Sequence, residues 1–317
     1  MTTLTNRPAD PAELVLEQHR AFRDELLAAR LLLSTGIDGL YLRSDRFERI
    51  VRGIDAMVSR AGAGTAEETL HFPLLMPREV LERTNYPRSF PNLTGVVSGF
   101  SDPTADHAAL VQAFDSDDRA SWTNLLRPSD LALCSAACHP LYPTQQGTLP
   151  AEGRVVEVFG QCFRREPSID PARMQSFRQH EFVYLGNAEG ARAHRDAWIG
   201  RALELHGRLG LSVEAVNAND PFFGRTGRLL AASQLSNSLK IEVVAPIAAP
   251  SAPTAITSAN LHLEHFGEEF GIHTATGQVA HTACVGFGVE RIALALLRRH
   301  GLDLTGWDPQ IRQELAL

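Results

Sequence analysis

The segment that most constrains this chain spans residues 158–185, where two strand-like runs are joined by a polar loop. The cationic pair Arg164 and Arg165 stands at the mouth of the loop, and Arg173 and Arg178 follow further along. Two such runs around a polar loop predict an antiparallel hairpin. Because a planar guanidinium binds two oxygen atoms at once, several arginines on one hairpin indicate a site for an anion.

A second informative segment, residues 286–291, runs from a glycine-rich turn into an apolar helix. It contains Gly286 and Gly288 and places Arg291 in the first helical turn. A Gly-x-Gly pattern by itself is weak evidence for a phosphate site. Together with the cationic hairpin it predicts a bound nucleotide.

Three segments, in this order, resemble the three motifs of class II aminoacyl-tRNA synthetases. Residues 71–97 are similar to motif 1, the dimer-forming segment of that class. Residues 163–182, with Phe-Arg-x-Glu followed by Arg-Gln-His-Glu-Phe, look like motif 2, and residues 286–291 look like motif 3. Within the class the similarity is greatest to seryl-tRNA synthetases, and it covers residues 70–300. The resemblance implies a homodimer whose catalytic domain binds ATP.

The apolar pattern predicts an α+β fold in which helices flank a mostly antiparallel sheet, because strand-like runs outnumber helices that could cross between strands. The class II resemblance implies the same architecture. Asp10 and Ser44 are predicted to cap two N-terminal helices. We expect an N-terminal helical element, residues 1–65, and a class II synthetase-like catalytic domain, residues 66–317. Predicted strands are 153–159, 180–185, 211–217, 239–247, 255–263 and 278–285, and predicted helices lie near 76–83, 188–209 and 289–300.

Five residues of motifs 2 and 3 are candidates for ATP binding. An amino acid carboxylate and ATP repel one another, so attack on the α-phosphorus needs cations that bridge the two. Arg164 is the candidate for that contact and Arg291 for the distal phosphates, and these two are the predicted catalytic residues. Glu166 would accept from the adenine amino group, Phe182 would stack on the ring, and Arg178 would add to the ATP site. Surface ion pairing is the alternative for Arg164 and Arg291, and core packing is the alternative for Phe182.

Two later segments resemble strands of the seryl enzymes. Residues 254–262 are similar to the strand that lines the ATP and serine sites, and residues 240–247 to the strand before it. Ser258 is predicted to contact ATP and Asn260 the amino acid. The seryl pattern begins the later strand with an acidic residue, where this chain has Thr-Ala. Magnesium would then be held by ATP and another carboxylate, such as Glu242.

Three possible zinc ligands fall in segments that the resemblance places around the amino acid pocket. Cys138 stands where related synthetases carry the glutamate of an amino acid-binding loop, Glu181 lies in motif 2, and Cys284 lies two residues before motif 3. Two thiolates and one carboxylate leave a tetrahedral zinc with an open fourth position, typical of a substrate-binding zinc. The substrate's amino group would fill it, so Glu181 also belongs to the predicted substrate site. Cys134 is the alternative to Cys138, and Cys162 is predicted to lie in the core.

This Cys/Glu/Cys set resembles that of the atypical, zinc-dependent seryl-tRNA synthetases and of their shortened bacterial relatives, the amino acid:[carrier protein] ligases. The resemblance implies activation of a small amino acid, glycine or alanine, to an aminoacyl-adenylate with release of pyrophosphate. The aminoacyl group would then pass to the phosphopantetheine thiol of an acyl-carrier-like protein. The sequence does not choose between glycine and alanine.

Length and charge favour a carrier protein over tRNA as the acceptor. The chain has 317 residues, a net charge of −7 and no run of basic residues, whereas proteins that bind a polyphosphate backbone usually carry clustered Lys and Arg. The coiled-coil arm of seryl-tRNA synthetases is missing, so no tRNA partner is expected. The chain has no apolar stretch long enough to cross a membrane and no export signal, so we expect a cytoplasmic protein without a membrane partner. In that compartment the four cysteines are expected to be reduced.

Two alternatives stay open at this point. One is a tRNA-charging enzyme that uses another surface or a separate subunit, and the other is a non-catalytic regulatory paralogue. Such paralogues normally lose a motif 2 or motif 3 arginine, and here both are present. The segment 190–209 and the loop after it are predicted to form either a docking surface for an acidic carrier or a solvated face. Their arginines are Arg192, Arg195, Arg201, Arg208, Arg225 and Arg228.

Overall fold

The computed structural model describes residues 10–100, 103–116, 119–220 and 238–317. The helices in these ranges are α1 (Pro11–Ala28), α2 (Asp45–Gly62), α3 (Arg78–Arg83), α4 (Tyr86–Ser89), α5 (Pro103–Asp115), α6 (Ala188–Arg208), α7 (His265–Phe270), α8 (Val289–His300) and α9 (Pro309–Glu314). The strands are β1 (Leu32–Ser34), β2 (Tyr41–Arg43), β3 (Glu68–Phe72), β4 (Leu75–Pro77), β5 (Val96–Phe100), β6 (Leu126–Leu133), β7 (Gly147–Thr148), β8 (Arg154–Phe163), β9 (Ser176–Gly186), β10 (Glu214–Asn217), β11 (Lys240–Ala245), β12 (Thr254–Leu263), β13 (Ile272–His273) and β14 (His281–Gly288).

A seven-stranded sheet lies at the centre of the molecule, with the strand order β10-β11-β12-β14-β9-β8-β3. Its neighbouring strands are antiparallel, apart from β3, which runs parallel to β8. The hairpin expected from residues 158–185 is formed by β8 and β9, with Phe163 opposite Ser176 at its open end. The predicted α+β fold with a mostly antiparallel sheet is therefore confirmed.

The two N-terminal helices begin where the capping residues predict. The Asp10 carboxylate accepts from the backbone N–H of Ala12, and the Ser44 hydroxyl accepts from that of Phe47. Side chains that accept from the first turn satisfy backbone donors that have no partner within the helix. The caps thus explain the starts of α1 and α2.

The sheet separates two hydrophobic cores. Helices α2, α6 and α8 cover one face, and the α7 region together with the segment after β6 covers the other. Helix α2 lies close to the sheet at Gly62, where an added Cβ would lie 2.1 Å from the ring of Phe182. The division of the chain at residue 65 remains a prediction, and α2 shares its core with the sheet.

Strands β4 and β5, which begin in the motif 1 region, form a three-stranded sheet with β6 in the order β4-β6-β5, which the apolar pattern does not predict. Strand β5 alternates regularly between exposed and half-buried residues, but β4 has only three residues and the burial pattern of β6 is irregular. Apolar side chains on this sheet are exposed to solvent, namely Leu75, Val96, Phe100 and Leu131. In the part of the chain that the structure describes, no helix combines the length and the apolar character needed to cross a membrane.

Candidate active site

Strand β9 places alternate residues on opposite faces of the central sheet, as any pleated strand does. Gln179 and Glu181 face the segment after β6, which carries Cys138. Arg178, His180 and Phe182 face the helices on the other side. This alternation decides which motif 2 residues reach the site.

Cys138, Glu181 and Cys284 converge on the first of these faces. One ligand atom from each residue can be chosen so that all three atoms lie within 4.8 Å of one another. All three side chains are buried, although they come from a loop, from β9 and from β14. Among the described residues this is the cluster of Cys, His, Asp and Glu side chains that could hold a metal ion.

The segment carrying Cys138 is held against the hairpin by two contacts of Ala137. Its backbone N–H donates to Oε1 of Gln179 over 3.1 Å. On β8, Gly160 permits a close approach, because a Cβ at that position would lie 2.6 Å from the Cβ of Ala137. The chain that precedes Cys138 is therefore fixed relative to Glu181.

The electrostatics of the cluster suit a metal cation. Burial, followed by the charge of Cys284, raises the pKa of Glu181 well above its usual range, and Glu181 Oε2 is buried without a hydrogen-bond partner. A hydrogen bond between the two thiols raises the pKa of Cys138 and lowers that of Cys284. Two sulfur donors and a buried carboxylate oxygen without a partner match the ligand set of a zinc ion.

The other two cysteines lie outside this cluster. The Cys134 thiol donates to the backbone oxygen of Ala136 at 3.0 Å, and the Cys162 thiol donates to Oε1 of Gln179 at 3.1 Å. Both are buried. Geometry therefore favours Cys138 over Cys134 as the ligand, and it places Cys162 in the core as predicted.

Three arginines converge at the open end of the hairpin. Arg164 donates from Nε to the backbone oxygen of Ser135, and Arg291 donates to the backbone oxygens of Ala172 and Ala255. Burial, followed by the positive charges of Arg164 and Arg173, lowers the pKa of Arg291 to about 10. Guanidinium groups this close repel one another, and a bound polyphosphate would relieve that repulsion.

The predicted adenine contact, Glu166, lies at the same end of the hairpin. Its Oε1 is 2.6 Å from Nη1 of Arg173, in a half-exposed ion pair. This ion pair joins the two sides of the motif 2 loop. The carboxylate keeps a second oxygen that can accept a hydrogen bond.

Arg178 does not reach the arginine cluster, and the expectation that it binds ATP is corrected. Its Nε is 2.7 Å from Oε1 of Glu290, and its two terminal nitrogens lie 2.7 and 3.0 Å from the carboxylate oxygens of Glu48. Arg43 also contacts both carboxylates. The network joins α2, β9 and α8 on the helical face of the sheet, so Arg178 stabilises the fold.

Phe182 is likewise on the helical face, and its predicted stacking on adenine is corrected. Its ring is 0% exposed and stacks on Trp198, with 4.0 Å between the ring centroids. Phe177 is the aromatic residue of β9 on the site face, the face of the sheet that carries Glu181 and Cys284. It is half-buried and lies under the guanidinium of Arg164, 5.2 Å from the ring centroid. The even spacing of four residues between Phe177 and Glu181 is the sequence signal that identifies it.

The two phenylalanines should respond in opposite ways to replacement by alanine. Phe177→Ala should raise the KM for ATP, because loss of a stacking partner costs about 1–3 kcal/mol per base, with little change in stability. Phe182→Ala should lower the free energy of unfolding by about 3–5 kcal/mol through cavity formation. Initial rates at varied ATP and chemical denaturation separate the two effects. A larger KM effect in Phe182→Ala, with the protein folded, would contradict the assignment.

Strand β12 brings Asn260 and Ser258 beside the metal-ligand cluster. Asn260 lies opposite Cys284 in the β12–β14 ladder, and Ser258 lies opposite Gly286. Asn260 Nδ2 is 3.6 Å from the Cys284 Sγ and 3.4 Å from the Ser258 hydroxyl. Glu242, on β11, lies opposite Ser258, and its Oε1 is 3.0 Å from Nζ of Lys240. The structure thus brings the predicted β12 residues to the site.

The sheet has the fold of class II aminoacyl-tRNA synthetase catalytic domains, as solved structures show. The M. kandleri SerRS, crystallised with A. aeolicus tRNASec, superposes with a TM-score of 0.78 at 21% identity over 93% of this chain and 60% of that one. The seryl-tRNA synthetase from Pyrococcus horikoshii complexed with ATP gives 0.70 at 15% identity over 96% and 68%. No family model matches the chain.

Sequence comparison identifies the family within this class. Amino acid--[acyl-carrier-protein] ligase 2 of Bradyrhizobium diazoefficiens is 43% identical over 92% of this chain and 87% of its own length. Ligase 1 of the same organism is 42% identical over 92% and 89%. A type-2 serine--tRNA ligase of Methanocaldococcus jannaschii is 26% identical over 77% of this chain and 49% of that protein. The chain belongs to the amino acid--[acyl-carrier-protein] ligase family and is a ligase.

Proposed function

We propose that this protein activates glycine or alanine with ATP and transfers the aminoacyl group to the phosphopantetheine thiol of an acyl-carrier-like protein. The names of the two Bradyrhizobium relatives support the amino acid and the carrier as substrates. The observation that carries the proposal is the convergence of Cys138, Glu181 and Cys284 beside Arg164 on one face of the sheet. An amino acid held at the cluster would have its carboxylate near the cations that bind ATP.

The proposed metal is zinc, held by Cys138, Glu181 and Cys284. When bound, a zinc with three protein ligands offers an open position that takes a neutral amino group and so orients an amino acid. Asn260 would contribute a polar contact to the amino acid. Magnesium would enter with ATP, and Glu242 remains the candidate protein carboxylate for it.

The first step would join the amino acid to AMP. A carboxylate oxygen attacks the α-phosphorus, the bond to the bridging oxygen breaks, and pyrophosphate leaves. Arg164 would contact the carboxylate and the α-phosphate and stabilise the charge that develops there. Arg291 would hold the distal phosphates. Glu166 and Phe177 would bind the adenine, by a hydrogen bond and by stacking, and Ser258 would add a polar contact to ATP.

The second step would form a thioester. The carrier's thiol loses its proton and attacks the adenylate carbonyl, and AMP leaves with the bonding electrons. This reaction needs no side-chain nucleophile. A small substrate side chain is supported by Tyr142, whose buried phenol lies within electrostatic reach of Cys138, Cys284 and Glu181. The ring of Tyr142 stacks on Phe266 with 3.9 Å between centroids, and both are buried.

Dimerisation and location remain proposals. Two exposed apolar side chains of the β4-β6-β5 sheet, Leu75 and Val96, lie in the segment that resembles motif 1, and Phe100 and Leu131 extend the same sheet, which supports a homodimer through it. Measurement of the molar mass in solution by light scattering tests the dimer. The cytoplasmic location stays a prediction from the sequence.

Three of the four arginines on α6 contact other side chains of the protein, so the proposed docking surface is smaller than the sequence predicts. Arg195 pairs with Asp196, Arg201 lies over the ring of Trp198, and Arg208 pairs with Glu314. Arg192 is exposed. Arg225 and Arg228 lie outside the described residues. We keep Arg192 as the described arginine best placed to meet an acidic carrier.

The purified protein should load glycine or alanine onto a phosphopantetheinylated carrier and should not charge tRNA. Loading should weaken as salt rises, because attraction between exposed charges is screened within about 10 Å at 0.1 M ionic strength. Arg192→Glu should raise the KM for the carrier, whereas Arg20→Glu on α1 makes the same charge change elsewhere and should not. Mass spectrometry of the carrier reports loading. Efficient charging of bulk tRNA would reject the acceptor, and equal effects of the two variants would reject the docking face.

A further inference from the structure

The Cys284 Sγ has two nitrogen neighbours on β12. Asn260 Nδ2 and His262 Nε2 each lie 3.6 Å from it. On its other side the His262 ring places Nδ1 3.0 Å from the hydroxyl of Thr282, which is 0% exposed. The imidazole therefore bridges two residues that are two positions apart on β14.

The backbone is distorted at the point where His262 projects. The β12–β14 register shifts between Leu261 and Leu263, which marks a bulge at His262. Leu263 has a φ of 54°, in the left-handed region that a branched side chain rarely adopts. Bulges redirect side chains and are frequent next to active sites. Here the bulge lets the imidazole lie between Thr282 and Cys284.

The contacts select one tautomer once Cys284 is a thiolate. A thiolate accepts hydrogen bonds and has none to donate, so Nε2 of His262 must carry the hydrogen. In the neutral ring Nδ1 then has only a lone pair, and the Thr282 hydroxyl donates to it. Two aromatic rings also lie beside the imidazole, Phe266 at 4.8 Å and Tyr142 at 6.2 Å between centroids. Thr282 is thus the polar group that sets the tautomer.

We propose that His262, oriented by Thr282, is a positioning residue that directs the Cys284 thiolate toward the metal and tunes that metal for the amino group. The proposal rests on the proposed zinc site. An N–H directed at the sulfur withdraws charge from it, so a bound metal ion keeps more positive charge and binds a neutral amine more strongly. Partners outside the ligand set commonly change metal affinity by about 10- to 100-fold when removed.

Two pairs of matched variants test the role of each ring nitrogen. His262→Gln keeps an N–H near the Nε2 position, whereas the shorter side chain in His262→Asn can replace only the Nδ1 side. Thr282→Ser keeps the hydroxyl that Thr282→Val removes. We expect His262→Asn and Thr282→Val to weaken zinc binding by about tenfold or more, because losing the orientation of the thiolate outweighs the gain in its donor strength. His262→Gln and Thr282→Ser should remain close to the parent protein.

The readouts are zinc affinity, from competition with a chromogenic chelator, and the sulfur-to-metal charge-transfer absorption of the cobalt(II)-substituted protein. The band should shift in His262→Asn and Thr282→Val, since a sulfur without its N–H donor is a stronger electron donor. A role in packing alone would leave the band unchanged, and four variants with the parent's affinity and spectrum would overturn the inference. A parent protein that binds neither metal would overturn the zinc proposal itself. Circular dichroism establishes that each variant is folded.

Discussion

Replacing Arg164 by alanine should reduce amino acid-dependent ATP–pyrophosphate exchange by about 100- to 1000-fold, the usual loss when an electrostatic contact to a transition state is removed. Arg164 lies on the site face of the sheet, between the ring of Phe177 and the segment that leads to Cys138. Its guanidinium can therefore contact a carboxylate and the α-phosphate together. The measurement is the incorporation of labelled pyrophosphate into ATP with glycine or alanine present.

The chain offers a matched control in the neighbouring residue. Arg165 is exposed and adjacent to Arg164, so Arg165→Ala removes the same charge from the same loop and should leave exchange nearly unchanged. Arg164→Lys keeps the charge but loses the planar fork, and should recover only part of the rate. If the parent protein shows no exchange with any of the twenty amino acids in the presence of zinc, the enzymatic proposal is wrong.

The second large effect concerns the metal. The protein should contain about one zinc per chain, and Cys138→Ser or Cys284→Ser should lose both the metal and the exchange activity. A serine hydroxyl is a poor zinc ligand because it keeps its proton at neutral pH, whereas a coordinated thiol gives its proton up. Plasma emission spectrometry of the purified variants measures the zinc content. Amino acids with a blocked α-amino group should not be activated.

Cys134 and Cys162 provide the controls for this test. Both are buried thiols outside the three-residue cluster, so Cys134→Ser and Cys162→Ser should retain zinc and most of the activity. Loss of metal from Cys134→Ser, with zinc retained by Cys138→Ser, would reverse the assignment of the loop ligand.

The sequence alone determined the features that depend on neighbours along the chain. The caps at Asp10 and Ser44 and the β8–β9 hairpin follow from local hydrogen-bonding groups and from runs of apolar residues. The three metal-ligand candidates were identified because the resemblance to class II synthetases supplied their spatial relation. The same resemblance predicted the class II fold, which the structure and similar solved structures confirm.

The tertiary structure decided which side chains of one strand face the same space. Arg178 and Phe182 match motif 2 by residue type, but each is an odd number of residues from Glu181, and the pleat sends them to the helices. Phe177 is an even number away and reaches the site. The contact of His262 with Cys284 depends on a bulge and on the register between two strands. Packing between distant segments sets the register of a strand and the face of the sheet on which each side chain lies. A sequence motif therefore identifies the residue types of a site but not the face that each side chain occupies.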